Sequence, residues 1–321
     1  MQDFAFIDST FIENHSSFPE LVEILRTAFA EHKMIVPMRH HHDFPNPGHS
    51  KDSTMLLMPA WEPEKNAGVK IVAISPDNRD KNLPTIQGTY LYFDAPSGSL
   101  LAILEAKTLT NKRTAAASAL AADFLSRKNA STLLMIGTGS LAPDLVRAHC
   151  STRPIRQIWI YGRNHQKAKA ISERLKQEGF NIQAIDSLDH YVPKADIISC
   201  ATLSETPLFP GKLLQPGQHL DLVGSYKPNM READDETITR SDIFLDNYSG
   251  GLKETGDIVI PIQKGIMSSE DIKADLFELS AGIKPGRQHD DQITLFKSVG
   301  HALEDLAAAT YYYEKFKKQA K

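Results

Sequence analysis

The sequence predicts an α/β fold in two parts: a doubly wound parallel sheet and a smaller α+β domain. Two patterns predict it. From residue 132 onward apolar runs alternate with helical stretches: "TLLMI", "QIWIY", "IQAI", "DIISCA", "HLDLVG" and "DIFLDN". Alternation at that spacing is the mark of βα units and a parallel sheet. Before residue 110 the runs differ. Segments 54–58, 69–74, 89–93 and 100–104 are short and rich in Leu, Ile, Val, Tyr and Phe, with turn formers such as "SPDNRDKNLP" and "DAPSG" between them. They read as an antiparallel sheet built from hairpins.

Three helices complete the reading. Residues 17–32 place apolar side chains at helical spacing, with Ser17 or Pro19 at the start. Residues 110–127 are Ala-rich and made of good helix formers. Residues 296–316 ("FKSVGHALEDLAAATYYYEKF") read as a final amphipathic helix that packs back on the first domain, with an aromatic face and a charged tail. The expected division is 1–112 with 298–321 for the α+β domain, and 113–297 for the doubly wound one. No internal repeat or low-complexity linker interrupts it.

Composition narrows the function. The 321 residues are 41% apolar and 24% charged, as in ordinary globular proteins. A net charge of −4 gives no nucleic-acid surface. Two cysteines, Cys150 and Cys200, make no disulfide framework and fit a reducing cytoplasm. The opening "MQDFAFIDSTFIENH" is not a signal peptide, and no run reaches the roughly 18 apolar residues of a membrane span.

The stretch "TLLMIGTGSLA" carries the clearest chemistry. A strand leads into Gly-x-Gly and a helix follows, the setting a dinucleotide needs. Gly137 makes the tight turn, Gly139 lets a pyrophosphate approach the backbone, and Ala142 packs helix on strand. Ser140 and Leu141 open the helix, whose N-terminus offers N–H donors and a positive dipole end. A plain strand–helix turn is the competing reading. About 20 residues further on, an NAD site expects an acid. This chain has Gly162, Arg163 and Asn164 there, with Lys167 a turn later. A carboxylate would repel a 2′-phosphate, whereas Arg pairs with it. The expected cofactor is therefore NADPH, with NADH as the alternative; a solvated basic loop is the plainer explanation.

Several stretches together resemble the ornithine cyclodeaminase/mu-crystallin family: "GVKIV" at 68–72, "KTLTNKRTAAASALAADFL" at 107–125, "IGTGSLA", "VGSYKPNMREADDE" at 223–236 and "TLFKSVGHALEDLAAA" at 294–309. The resemblance runs along nearly the whole chain in order. It implies a homodimer of two-domain subunits. The first domain, with the last helix, would make the dimer and part of the substrate site, and the Rossmann domain would hold a nicotinamide cofactor. The shared chemistry is hydride exchange at a carbon bearing a carboxylate and a nitrogen.

Departures choose among the members. Cyclodeaminases and alanine dehydrogenases of the family resemble "GADxPGK" where this chain has "GSYKPNM", so their Asp falls on Tyr226. A general acid/base carboxylate is missing there. The cyclodeaminase "ELMP" becomes "LLMP", with Leu56 in place of Glu. The pattern looks most like reductases of Δ1-pyrroline-2-carboxylate and Δ1-piperideine-2-carboxylate, which form L-proline and L-pipecolate. A cyclodeaminase, an amino-acid dehydrogenase and a non-catalytic NADPH-binding relative of mu-crystallin are the rival readings.

For such a cyclic imino acid the resemblance implies three cations: Arg39 in "VPMRHHH", Lys70 in "GVK" and Arg113 in "NKRT". All three are expected to bind the carboxylate, and a guanidinium can hold one by two parallel hydrogen bonds. Lys70 either binds the carboxylate or relays a proton to the ring nitrogen, helped by a pKa that neighbouring arginines depress. Taken singly, each is more often a surface charge. The cofactor set implied by the family adds Thr85, Gln87, Thr114, Ala201, Thr202, Val223 and Ser298, of which 201, 202 and 223 fall at strand ends where open α/β sheets bind ligands. His41, in the run His40–His42 after Arg39, is expected to line the substrate pocket. "RHHHDFPNPGH" reads as a Pro-rich loop without metal-ligand spacing, so no metal is expected. Cys200 reads as a small apolar residue, and no serine sits in a nucleophile elbow.

Overall fold

The hairpin segments build one sheet of a first unit, Met1–Arg113 with Ala302–Lys321. The computed structural model describes residues 4–46, 52–81 and 83–319. The strands of this unit are β1 (Ala5–Ile7), β2 (His40–Phe44), β3 (Ser53–Glu62), β4 (Asn66–Ile74), β5 (Ile86–Asp94) and β6 (Leu100–Glu105). They lie in the order β1-β6-β5-β4-β3-β2. Strands β2 to β6 pair antiparallel with their chain neighbours, and β1 joins β6 in parallel. The C-terminal α10 (Ala302–Gln319) packs on this sheet, and α1 (Ser9–His15) and α2 (Phe18–Glu31) pack on α10. The α2 residues Leu21, Val22, Leu25 and Phe29 are buried, as their helical spacing demands. On β4 the residues Asn66, Gly68 and Lys70 are buried, while Ala67 and Val69 between them are half-exposed.

Two expectations need correction here. The segment His40–Phe44, read as a Pro-rich loop, is an edge strand paired with β3. Every residue of it is exposed, so no alternation of apolar and polar marked it; the partner strand's free edge makes it a strand. Three residues of the His-rich run, Pro47, Gly48 and His49, lie outside the described residues.

Helix α3 (Ala106–Leu125) leads from the first unit into the second, Thr114–His301. The second unit holds β7 (Thr132–Ile136), β8 (Gln157–Tyr161), β9 (Ile182–Ile185), β10 (Ile197–Cys200), β11 (His219–Leu222), β12 (Asp242–Leu245), β13 (Ile272–Asp275) and β14 (Thr294–Lys297). Their order is β13-β12-β14-β11-β10-β7-β8-β9, and every pairing is parallel. From β7 the chain first winds outward to β8 and β9, then returns to β10 on the other side. That reversal is the switch point of a Rossmann-type sheet. Helices α4 (Ala142–Thr152), α5 (His165–Gln177), α6 (Asp235–Thr239), α7 (Tyr248–Gly251), α8 (Gly256–Gln263) and α9 (Leu276–Ser280) join the strands. Leu134, Ile136, Ile198, Cys200, Leu220 and Leu295 are among the core residues.

The last helix starts later than the sequence predicts. Residues 294–297 form β14, inserted between β11 and β12, and α10 begins at Ala302. A buried four-residue run has no periodicity of its own, and its last two residues, Phe296 and Lys297, merge with the helical pattern that follows.

Candidate active site

A buried ion cluster lies in the first unit. Lys70 on β4 and Arg113 on α3 meet two acids from the start of α10, Glu304 and Asp305. The Lys70 Nζ lies 2.9 Å from Asp305 Oδ1 and 2.7 Å from Oδ2. Arg113 Nε donates to Asp305 Oδ1 at 2.9 Å, and its Nη1 donates to Glu304 Oε2 at 2.6 Å. All four side chains are buried: Lys70 is 3% exposed, Arg113 5%, and both acids 0%. Two positive and two negative charges offset one another, which is the only way such groups leave water at tolerable cost.

Electrostatics set the protonation states. Burial brings the Lys70 ammonium down to about 8; Asp305 opposes that fall, while Arg113 and Arg39 add to it. Arg39 therefore lies within the field of Lys70, so the three cations named from the sequence come together. Burial works against ionised Asp305, but Arg113 and Lys70 outweigh it and hold the carboxyl below its ordinary value. Arg113 stays charged, because the two acids outweigh its burial. Tyr90 stands opposite Lys70 across the β4–β5 pair, hence on the same face of the sheet. Its hydroxyl is buried without a hydrogen-bond partner among the described residues, and burial and Asp305 keep it protonated. Gly68 makes room for it, since a Cβ there would overlap the phenol.

The other first-unit candidates are spread around this cluster. His41 pairs with Leu56, and Leu56 with Val72, so His41 shares the sheet face of Lys70 but is exposed. Gln87 pairs with Ala73 and so points to the opposite face. Thr85 precedes β5 and is half-buried. The acids Glu304 and Asp305 went unnoticed in the sequence. The available signal was two adjacent carboxylates inside the Ala/Leu run "HALEDLAAA".

The second unit carries the glycine turn. Gly137 has φ +129°, and a Cβ there would stand 2.5 Å from the Ala201 carbonyl oxygen. Only glycine suits that backbone. A Cβ on Gly139 would meet nothing within 4 Å, so that glycine is not required by the protein's own packing and leaves open space over the turn. Leu141 caps α4, Ser140 is exposed beside it, and Ala142 is fully buried. A tight turn, open space and a helix N-terminus fit a dinucleotide pyrophosphate. After β8, Gly162 packs against Thr138, Arg163 and Lys167 are exposed, and the Asn164 side chain caps α5 by accepting from Lys167 N–H at 3.2 Å. Thr114 is buried on α3.

Ala201 and Thr202 follow β10, Val223 follows β11 and Ser298 follows β14, all at the carboxyl edge of the sheet. Ser298 is buried, and its hydroxyl donates to Asp246 Oδ2 at 3.1 Å. Glu232, also unnoticed in the sequence, binds Thr202 and Gly224 there. Burial pushes its carboxyl up to about 7, against the pull of the Lys297 ammonium. Tyr226 is half-buried beside Lys227.

Burial pushes the Cys150 thiol up to about 12 and the Cys200 thiol well above its ordinary value, so neither is a ready thiolate. His149, Asp221 and Ser199 form a fully buried trio, but the acid stands in the middle: Asp221 Oδ2 is 3.0 Å from His149 Nε2 and 2.7 Å from Ser199 Oγ. A nucleophilic serine needs the histidine there. Among the described residues no His, Cys, Asp and Glu cluster is arranged to hold a metal, and no helix is long and apolar enough to cross a membrane.

The architecture defines a two-unit protein with a Rossmann-type sheet and a buried cation cluster on its companion unit. The chain belongs to the ornithine cyclodeaminase/mu-crystallin family, whose model matches residues 5–320. Among its relatives, an uncharacterized protein of Schizosaccharomyces pombe is 42% identical over 94% of both chains. A Delta(1)-pyrroline-2-carboxylate reductase of Bacillus cereus is 36% identical over 94% of this chain and 92% of its own. The solved structure of Thermococcus litoralis Delta(1)-pyrroline-2-carboxylate reductase, in complex with NADH and L-proline, superposes with a TM-score of 0.92 at 33% identity, covering 99% and 98% of the two chains. An archaeal alanine dehydrogenase dimer with bound NAD gives 0.89 at 26% identity, covering 99% and 97%.

Proposed function

We propose that this protein is an NAD(P)H-dependent reductase of cyclic imino acids, taking Δ1-pyrroline-2-carboxylate to L-proline and Δ1-piperideine-2-carboxylate to L-pipecolate. The buried Lys70–Arg113 cluster carries the reading: it is a fixed pair of cationic donors, in the field of Arg39, in a chain that matches a named reductase over 94% of its length. Arg113, locked by Glu304 and Asp305, and Arg39 hold the substrate carboxylate. Lys70 gives up a proton more readily than a solvent lysine and supplies it toward the ring nitrogen. The coenzyme, bound at the Gly137 turn and the ends of β10, β11 and β14, supplies hydride. Tyr226 and Leu56 deny the carboxylates that cyclodeamination would use.

NADPH is the preferred coenzyme, with Arg163 and Lys167 facing its 2′-phosphate, and NADH the lesser one. The working form is a homodimer, supported by the half-exposed apolar outer face of the first sheet, with Leu57, Val69 and Leu91. Its compartment is a reducing cytoplasm, in keeping with two free thiols. A three-way assay following nicotinamide absorbance tests the reading. NADPH is mixed with the cyclic imine, NAD with ornithine, and NADPH with pyruvate and ammonia. Turnover in the first mixture alone is expected; turnover confined to another assigns the protein to that rival, and binding without turnover makes it a carrier.

A further inference from the structure

One buried carboxylate sits under the sheet edge without a part in the steps above. Glu232 is 1% exposed, and its side chain reaches back to two strand ends. Its Oε1 accepts from the Thr202 backbone N–H at 2.7 Å and from the Thr202 hydroxyl at 2.8 Å; Oε2 accepts from the Gly224 N–H at 2.8 Å. The Glu232 segment is itself held, because Asp257 Oδ1 accepts from the N–H groups of Glu232 and Ala233 at 2.7 and 3.0 Å. Lys297 lies 3.4 Å from Asp257 Oδ2 and donates to the Leu222 carbonyl at 3.1 Å. The chain leaving β11 presses so closely on the chain leaving β10 that a Cβ on Gly224 would overlap the Thr202 backbone. An apolar side chain would fill the same volume without the desolvation cost of a carboxylate. What the carboxylate adds is direction: three donors from two loops converge on one rigid group.

We propose that Glu232 is a positioning residue of the coenzyme site, fastening the Thr202 and Val223–Gly224 segments into one surface for the nicotinamide half of the coenzyme. The inference rests on the coenzyme reading given above. In a doubly wound sheet the two nucleotide halves lie on opposite sides of the switch point. Here β7–β9 take the adenosine half, and β10 and β11 take the other. Loss of Glu232 therefore falls on one half of the ligand only.

The test compares the full-length wild type with Glu232→Gln. The amide keeps one acceptor for Thr202 but turns N–H groups toward the Gly224 N–H. Two probes are titrated by calorimetry: NADPH, and adenosine 2′,5′-bisphosphate, which lacks the nicotinamide half. The variant is expected to bind the bisphosphate within about twofold of wild type, to bind NADPH about tenfold more weakly, and to lose about ten- to a hundredfold in kcat, as a displaced reacting group does. Unchanged NADPH affinity and kcat overturn the inference, and so does an equal loss for both probes, which marks general damage to the sheet. Wild type that binds neither probe overturns the coenzyme reading and this inference with it. If the variant does not fold, amide exchange in the wild type decides. The Thr202 and Gly224 amides are expected to be protected about a hundredfold or more over open-chain rates; free exchange of both overturns the fastening.

Discussion

Replacing Asp305 with Asn separates the electrostatic role of this acid from its packing role. The shape is kept and one negative charge is removed from between Lys70 and Arg113. At 2.7–2.9 Å from the Lys70 Nζ, that charge is worth roughly 6 kcal/mol at an effective dielectric constant of about 20. Each pH unit is about 1.4 kcal/mol, so the full term equals roughly four units. The carboxamide oxygen still accepts one hydrogen bond, so about half of it is taken as lost. Lys70, at about 8 in the wild type, then titrates near ~6. The sign follows from the charged form: the ammonium is the working species, present below its pKa and lost above it. At pH 7.5 about three quarters of wild-type Lys70 is protonated, against about 3% in the variant, roughly a 25-fold difference. The assay is kcat/KM for Δ1-pyrroline-2-carboxylate at saturating NADPH from pH 5 to 9, taken as the ratio of variant to wild type so that the substrate's own titration cancels. The ratio should fall about 20-fold between pH 5.5 and 7.5. A ratio constant over that range refutes the assignment of Lys70 as the working acid.

Three further outcomes are expected. Arg163→Glu leaves stability within about 0.5 kcal/mol, because the side chain is exposed. It lowers the NADPH-to-NADH ratio of kcat/KM about tenfold or more, the worth of one charge-assisted phosphate contact; an unchanged ratio places the 2′-phosphate elsewhere. Gly137→Ala forces a side chain into φ +129° and within 2.5 Å of the Ala201 carbonyl oxygen. It should cost about 2 kcal/mol or more in urea unfolding and weaken NADPH binding, and wild-type values for both would show that the turn relaxes freely. Burial holds the His219 ring down to about 3, against the pull of Asp221, from an ordinary 6.5. The unfolded chain therefore binds the extra proton, and stability drops as pH falls from 6.5 toward 3. Between pH 7 and 5 this group removes about 2 kcal/mol, a slope that His219→Asn should lack; equal slopes in both proteins would be the contrary result.

The alternating half of the fold was legible because each parallel strand is a short apolar run closed by a helix signal. The two strands that escaped show what such patterns omit. The β14 run "TLFK" is too short to declare a period, and β2 is polar on both faces. The glycine turn was legible for a different reason. Gly137 is dictated by local backbone geometry, and its neighbour contact is to the end of β10, which lies next to it in any sheet of this winding. Lys70 and Arg113 were named from resemblance, not from spacing, since 43 residues of chain separate them. What brings them together is Asp305, 235 residues from Lys70 and 192 from Arg113. No local pattern encodes a contact of that range. Glu232 escaped likewise, because its partners Thr202 and Gly224 belong to other strand ends.

The charge pattern also decides how any variant of this cluster is to be interpreted. Lys70 and Arg113 are matched by Glu304 and Asp305, so within the quartet the formal charges cancel. A neutral quartet by itself would attract a carboxylate only through oriented donors. Arg39 adds a charge that reaches Lys70 without belonging to the quartet. Arg39 is half-buried and lies outside the quartet, so its removal leaves the buried ion pairs intact. Truncating Arg113, by contrast, leaves two buried carboxylates facing one lysine, a change that costs about 3–5 kcal/mol in comparable settings. A loss of activity there mixes folding with binding. The acids of α10 make the cations tolerable inside the protein, and they do so by taking up the very charge that the substrate would otherwise meet.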